Sequence, residues 1–186
     1  QEFWAPEDFT PDHVVSVDIA SLSLLPENAQ VYRDRIELAI DHHPSFEHFA
    51  PQSCVIPERA ACGEILYEII DQMVAVNPEI ALPLYAAVAT DTGCFVYSNT
   101  TANTHRVAAE LMDTGIDYRA VNKIHFRTKS RKRLAMEAHM VDTMETYDEG
   151  RLVFMTIPLS LMEEIQATEG DAEDLSSLAG LVEGND

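Results

Sequence analysis

Short apolar runs alternate with helical patterns through about residue 115, and this alternation restricts the fold to a parallel α/β sheet flanked by helices. His13-Val14-Val15-Ser16-Val17-Asp18 reads as a short buried strand, and Ile36-Glu37-Leu38-Ala39-Ile40 as a second, ended by Asp41-His42-His43-Pro44. Pro44 has no N–H for a ladder bond, so the strand stops before it. Residues 1–12 form an irregular lead-in, and Ser23 to Gln30 a polar, Pro-containing connection. From Glu58 to Met73 the period becomes helical, with Ile65, Leu66, Ile69, Ile70 and Met73 on one face. Asn77-Pro78-Glu79 starts another helix with a capping side chain, a first-position proline and an acid. Its continuation, Ile80 to Thr90, is apolar nearly all round and belongs inside the protein.

Beyond it, Phe95-Val96-Tyr97 reads as a short strand and Ser98-Asn99-Thr100-Thr101 as a set of caps for a helix to Met112, with Gly115 as terminator. A long helical pattern from Asp117 to about Glu145 then connects to a strand at 151–157 and a short helix, Leu159 to Gln166. These last elements open a smaller second α/β lobe. The expected divisions are a core over 1–127, a linking helix over 128–147 and a partial lobe over 148–186.

Charge narrows the function classes. The 186 residues include 12 Lys and Arg against 32 Asp and Glu, a formal net charge of −20. That balance excludes a broad electrostatic grip on long nucleic acid or anionic membrane, both polyanions. No apolar run approaches the ~20 residues that span a bilayer, and no signal-peptide pattern opens the chain. Cys54, Cys62 and Cys94 form no Cys-x-x-Cys pair and read as free, buried small residues, which suits a reducing cytoplasm.

Three aspartates stand where an open α/β sheet places its ligands. Asp18 and Asp41 each end a strand, and Asp91 ends an apolar helix before the Thr92-Gly93 turn. Singly, each serves equally well as a cap or turn former. Together with His42 and His43 they make a nitrogen and oxygen donor set suited to Mn, Fe, Co or Zn, oxygen-rich versions favouring Mn or Mg. Consecutive extended residues face opposite sides, so the two imidazoles are expected to have different tasks, one on metal and one on substrate. Asp41 is placed to accept from a ring N–H and fix its tautomer.

These segments, taken in order, resemble a known family. Val14-Val15-Ser16-Val17-Asp18-Ile19-Ala20, Asp41-His42-His43-Pro44, and Thr90-Asp91-Thr92-Gly93-Cys94-Phe95 followed by Tyr97-Ser98-Asn99-Thr100-Thr101 look like the DHH phosphoesterase superfamily. The likeness is greatest to the nanoRNase/pAp-phosphatase branch, related to RecJ-type exonucleases, exopolyphosphatases and family II pyrophosphatases. It implies two divalent cations, manganese first with magnesium or cobalt as alternatives, held by Asp18, His42 and Asp91. It also implies that His43 meets the scissile phosphate; Asp41, read above as fixing a ring tautomer, is the second catalytic candidate. The implied reaction is phosphoester hydrolysis by a metal-bound hydroxide on a small phosphorylated nucleotide or a very short oligoribonucleotide. A homodimer stays open.

Two family features are missing from the sequence: the upstream His/Asp/Asp motif and the Gly-Gly-Gly-His-type loop of the substrate lobe. The chain therefore reads as the middle of a longer protein, with impaired metal binding and little activity alone. A polyphosphate or pyrophosphate hydrolase, or a non-catalytic nucleotide-binding module, are the competing readings. Ser98 and Asn99 are candidate substrate contacts. Seven of the twelve basic residues fall between Arg119 and Arg133. Arg119, Lys123, Arg127 and Arg131 recur every four residues, which on one helix makes a single positive stripe. Arg127 and Arg131 are thus candidates for guiding phosphate, against the plainer reading of a solvated face.

Overall fold

The computed structural model describes residues 9–173 and 175–182. Residues 1–8 of the expected lead-in, and 174 and 183–186 of the expected second lobe, lie outside the described residues. The chain divides into two compact units, one ending at Arg127 and the other beginning at Thr128.

The first unit is α/β. Strands β1 (Val14–Val17), β2 (Ile36–Asp41) and β3 (Gln52–Val55) form one sheet in that order. Both pairings are parallel, with Ser16 opposite Ala39 and Asp41 opposite Val55. β2 is central, and Ile36, Ala39, Ile40 and Asp41 are all buried, as a strand flanked on both edges requires. β1 is not the buried strand that its sequence implies. Val15 and Val17 are 49 % and 38 % exposed while Ser16 is buried, because β1 lies at the sheet edge. β3 has no sequence signal at all. Gln52-Ser53-Cys54-Val55 is short and half polar, and its extended form comes from pairing with β2.

Helix α1 (Cys62–Asp71) begins four residues later than its periodicity predicts. It covers the sheet with Cys62 and Ile65 against Ile40. Gly63 lets α2 approach, since a Cβ there would stand 3.0 Å from the Ala87 methyl and 3.1 Å from the Leu84 carbonyl. α2 (Pro78–Asp91) starts as expected, with the Asn77 side chain accepting from Ile80 N–H at 3.0 Å. α3 (Ala102–Asp113) is capped by Thr101, whose side chain accepts from Thr104 N–H while Thr104 bonds back to Thr101 N–H. Tyr85, Val88, Val107 and Leu111 fill the core between these helices. Ser23 to Gln30, expected as irregular, runs through 3₁₀ turns at Leu22–Leu24 and Glu27–Arg35.

Two expectations fail for identifiable reasons. Phe95-Val96-Tyr97 is a turn, not a strand: Gly93, Cys94 and Phe95 have φ of +54°, +57° and +68°. Three consecutive left-handed residues reverse the chain. Phe95 is then drawn inward, stacking on His105 with ring centroids 5.3 Å apart. The long helix expected from Asp117 is broken. α4 (Tyr118–Asn122) passes into one π turn at Lys123–Arg127, and residues 128–130 are not helical. Ser130 then caps a new helix, α5 (Arg131–Asp142), accepting from Arg133 N–H at 3.0 Å. A side chain that satisfies a free first-turn amide marks a helix start, so Ser130 ends the apparent continuity.

The second unit packs α5 with a hairpin and a short helix. Strands β4 (Glu145–Tyr147) and β5 (Leu152–Phe154) pair antiparallel, and α6 (Leu159–Glu164) follows. Segment 128–147 therefore holds a helix and a strand rather than one linking helix. Met136, Met140 and Leu175 are its buried centre, with Met155, Ile157 and Met162 packed around them. Among the described residues no helix is long and apolar enough to cross a membrane.

Candidate functional site

The site is built where β1 and β2 end. Asp18 follows β1 directly, at φ +60°, with its N–H donating to Ile40 O at 3.0 Å. Parallel pairing thus carries one residue past β1, while the left-handed turn redirects the chain at the carboxylate. Asp41 is the last residue of β2 and has no exposed surface. Its Oδ1 accepts from the His42 and His43 amides at 2.6 and 2.8 Å and from His43 Nδ1 at 2.6 Å.

Those three bonds fold the two histidines back over the strand end. Their rings lie with centroids 4.5 Å apart, tilted by 57°, so they stand together rather than on opposite sides. Strand alternation does not apply because the strand has already ended at Asp41. His42 Nδ1 lies 3.1 Å from Arg59 O. A carbonyl only accepts, so Nδ1 carries the proton and Nε2 keeps the lone pair in the neutral ring. That Nε2 lies 3.5 Å from Asp18 Oδ1 and 3.6 Å from Asp91 Oδ2. Asp18 Oδ1 is also 3.8 Å from His43 Nδ1.

Asp91 closes the cluster from the end of α2. Burial pushes its carboxyl above the usual range and the nearby Asp18 charge adds to the rise, while His42 and His43 pull it the other way. Burial, followed by the Asp18 charge, likewise pushes the Cys62 thiol up to about 12. Cys62 is therefore a neutral thiol at physiological pH, donating to Ile40 O at 3.3 Å.

The donor set is that of a divalent cation. Asp18, Asp41, His42 and His43 each bring one ligand-type atom within 4.8 Å of the others. Asp41 Oδ2 is buried with no hydrogen-bond partner among the described residues. An orphaned carboxylate oxygen is costly to bury, and a cation offsets that cost. The carboxylates of Asp18, Asp41 and Asp91 face the ring nitrogens of His42 and His43 at distances of 2.6 to 3.8 Å. Imidazole nitrogen with carboxylate oxygen fits a hard or borderline divalent ion.

The remaining predicted residues fall elsewhere. Ser98 is exposed on the turn after Asp91. The Asn99 amide nitrogen donates to Asp91 O at 3.0 Å and Ala60 O at 3.1 Å. Arg127 ends the first unit and Arg131 opens the first helix of the second, so they do not share one helical stripe. Arg59 joins the site without any sequence signal for it. It acts through its main-chain carbonyl, which any residue carries, so no side-chain pattern marks it.

No protein-family model matches the chain. The bifunctional oligoribonuclease and PAP phosphatase NrnA of Thermus thermophilus is 33% identical over 148 residues, covering 78% of this chain and 44% of that protein. A Streptococcus mutans protein, "Probable bifunctional oligoribonuclease and PAP phosphatase NrnA", is 22% identical over 178 residues, covering 95% of this chain and 56% of that protein. The chain thus spans about half the length of these curated relatives. Among solved structures, an exopolyphosphatase-related protein from Bacteroides fragilis superposes with a TM-score of 0.83 at 21% identity, over 92% of this chain and 52% of that one. The structural likeness shows a shared α/β fold, and the sequence likenesses support the resemblance to the DHH superfamily.

Proposed function

We propose that this chain carries the metal-holding part of a DHH-type phosphoesterase that hydrolyses small phosphorylated nucleotides such as pAp, or very short oligoribonucleotides, in the cytoplasm. One observation carries the reading: three carboxylates and two imidazoles meet at the strand ends, with one carboxylate oxygen buried and unpartnered. The substrate class follows the activities named for the Thermus and Streptococcus relatives.

In this reading Asp18, His42 and Asp91 hold the cation, with manganese as the first choice, and its positive charge also offsets the unpartnered Oδ2 of Asp41. A divalent cation bound there supplies Lewis-acid stabilisation of phosphoryl charge and makes water a stronger nucleophile near neutral pH. The chain's own residues prepare that chemistry. Arg59 O holds the proton on His42 Nδ1 and leaves Nε2 free as a donor atom. Asp41 fixes the His43 ring through Nδ1, so its Nε2 is the nitrogen available to a phosphate oxygen. The ring is 43 % exposed, enough for substrate to reach it. The basic run between Arg119 and Arg133 is not one continuous helix, so Arg127 and Arg131 enter this reading singly as candidates for guiding phosphate.

The test is hydrolysis of pAp and of a ribodinucleotide by the full-length parent protein with Mn²⁺. Release of phosphate or 5′-mononucleotide is expected, with a fall of at least ~100-fold in His43→Ala, the scale of a lost acid–base or charge-stabilising group. Activity that survives His43→Ala, or persists in EDTA, overturns the mechanism. Turnover of polyphosphate or pyrophosphate alone replaces the substrate class and leaves the metal site standing. Binding of nucleotide with no turnover favours the non-catalytic module.

A further inference from the structure

Asn99 joins the two pieces of chain that hold His42. Its amide nitrogen donates to Asp91 O at 3.0 Å and to Ala60 O at 3.1 Å. Ala60 adjoins Arg59, whose carbonyl accepts a hydrogen bond from His42 Nδ1 at 3.1 Å. Asp91 presents Oδ2 to the opposite nitrogen of the same ring, 3.6 Å from Nε2. Three hydrogen bonds run from the imidazole through Arg59–Ala60 and Asn99 to Asp91, and the 3.6 Å gap from Asp91 Oδ2 back to Nε2 is where a cation would complete the circuit.

The circuit requires this residue type. Two carbonyl acceptors need two N–H donors from one short side chain, and a primary amide has both. Serine or threonine has one, and a carboxylate has none. Capping does not explain the arrangement either. Thr101 is the cap of α3, and only the bond to Asp91 O serves the end of α2. The bond to Ala60 O reaches 39 residues back to the segment preceding α1.

We propose that Asn99 is a positioning residue that sets the spacing between His42 Nε2 and Asp91, and through it the affinity of the site for a divalent cation. Both amide hydrogens are committed to main-chain carbonyls, so a substrate contact by Asn99 would have to use its Oδ1. The proposal rests on the reading of His42 and Asp91 as cation ligands. Outer partners of ligating groups typically change metal affinity by about 10–100-fold.

The experiment compares, in the full-length parent protein, wild type, Asn99→Ala, Asn99→Ser and, as a structural control, Asn103→Ala. Asn103 also bridges elements of this unit, donating to the buried Glu64 Oε2 at 2.9 Å, but it does not enter the circuit. Calorimetric titration with MnCl₂ and thermal unfolding in EDTA are measured on each. Mn²⁺ affinity is expected to fall about 10-fold or more in Asn99→Ala and less in Asn99→Ser, which keeps one donor, and to hold within about 2-fold in Asn103→Ala. Unchanged affinity in Asn99→Ala, or an equal fall in Asn103→Ala at matched loss of thermal stability, overturns the proposal. If Asn99→Ala does not fold, the serine variant decides by the same comparison. Imidazole ¹⁵N spectra of the metal-free proteins separate this proposal from the cation reading. A single His42 Nδ1–H tautomer is expected in wild type and a tautomer mixture in the Asn99 variants. Wild type without Mn²⁺ binding overturns the cation reading. A His42 signal unaltered by Asn99→Ser overturns the positioning role.

Discussion

Asp41 shows how much one buried carboxylate organises here. One oxygen takes three N–H donors and thereby places both histidines, while the other is left without a partner. With Asp18 and Asp91 close to the same imidazoles, negative charge is concentrated around a small volume. A cation that binds only the folded state relieves that repulsion and raises stability by mass action, about 2.7 kcal/mol at a concentration 100 times its Kd. For a chain of this size 1 kcal/mol moves Tm by about 2–4 °C. Saturating Mn²⁺ is therefore expected to raise Tm by about 5–10 °C, reversed by EDTA. Asp18→Asn removes one ligand charge and should lose most of that gain, while unfolding no earlier than wild type in EDTA. Scanning calorimetry of both proteins with and without Mn²⁺ decides it; an equal Mn²⁺ response in the variant tells against Asp18 as a ligand.

The elements that could be read from the sequence are those whose signals are local. Asn77-Pro78 and Thr101 start α2 and α3 through caps within their own first turn. β2 declares itself by a run of apolar residues buried on both faces. β3 is invisible because two exposed and two half-buried residues owe their extended form to a partner strand. Phe95-Val96-Tyr97 looks extended by composition, yet Gly93 opens a left-handed turn that Phe95 completes by packing on His105. The site residues were legible as types and in order, whereas the Arg59 carbonyl and the double bond from Asn99 exist only once the chain is folded. α5 carries a local signal of its own in charge. Glu137 sits in this helix with Arg133 Nε at 3.1 Å, one turn earlier, and Lys129 Nζ at 2.8 Å. Partial burial works to raise its pKa, but the hydrogen bonds and charges of Lys129 and Arg133 prevail and hold it below the ordinary 4.5. A depressed carboxylate pKa means that the unfolded state binds the proton first. Its stabilisation is complete above the unfolded value and disappears as pH falls through the folded one. Glu137→Gln should cost about 0.5–1 kcal/mol at neutral pH, the scale of two partly exposed ion pairs. Thermal melts from pH 7 to pH 3 should show the two proteins converging below pH about 4.5, near the unfolded carboxylate value. A gap that persists unchanged to pH 3 rules out the ion pairs as its source.

At the scale of the whole molecule, the net charge of −20 conceals a local reversal. The basic run from Arg119 to Arg133 falls across the division between the two units, and the helical break at 128–130 interrupts it. A continuous helix would present Arg127 and Arg131 as neighbours on one face. Instead Arg127 ends a π turn, Ser130 caps the next helix, and residues 127–131 are all exposed. Exposed backbone outside regular structure is where proteases first gain access, because a cleavable stretch must unfold locally to enter the enzyme. The same lysine and arginine residues that suggested a stripe thus become a cleavage site. Brief trypsin digestion of the native chain is expected to cut first after Arg127, giving a large fragment from the first unit and a small one from the second, with Lys129 slower because its ammonium is paired with Glu137 at 2.8 Å. Arg59 and Arg106 provide an internal comparison, the first tied to Glu68 at 2.7 Å and the second within α3. Intact-mass analysis of early time points identifies the sites. A first cut within α3 or α5, with 127–131 left whole, would show that the segment is helical in solution and restore the single stripe.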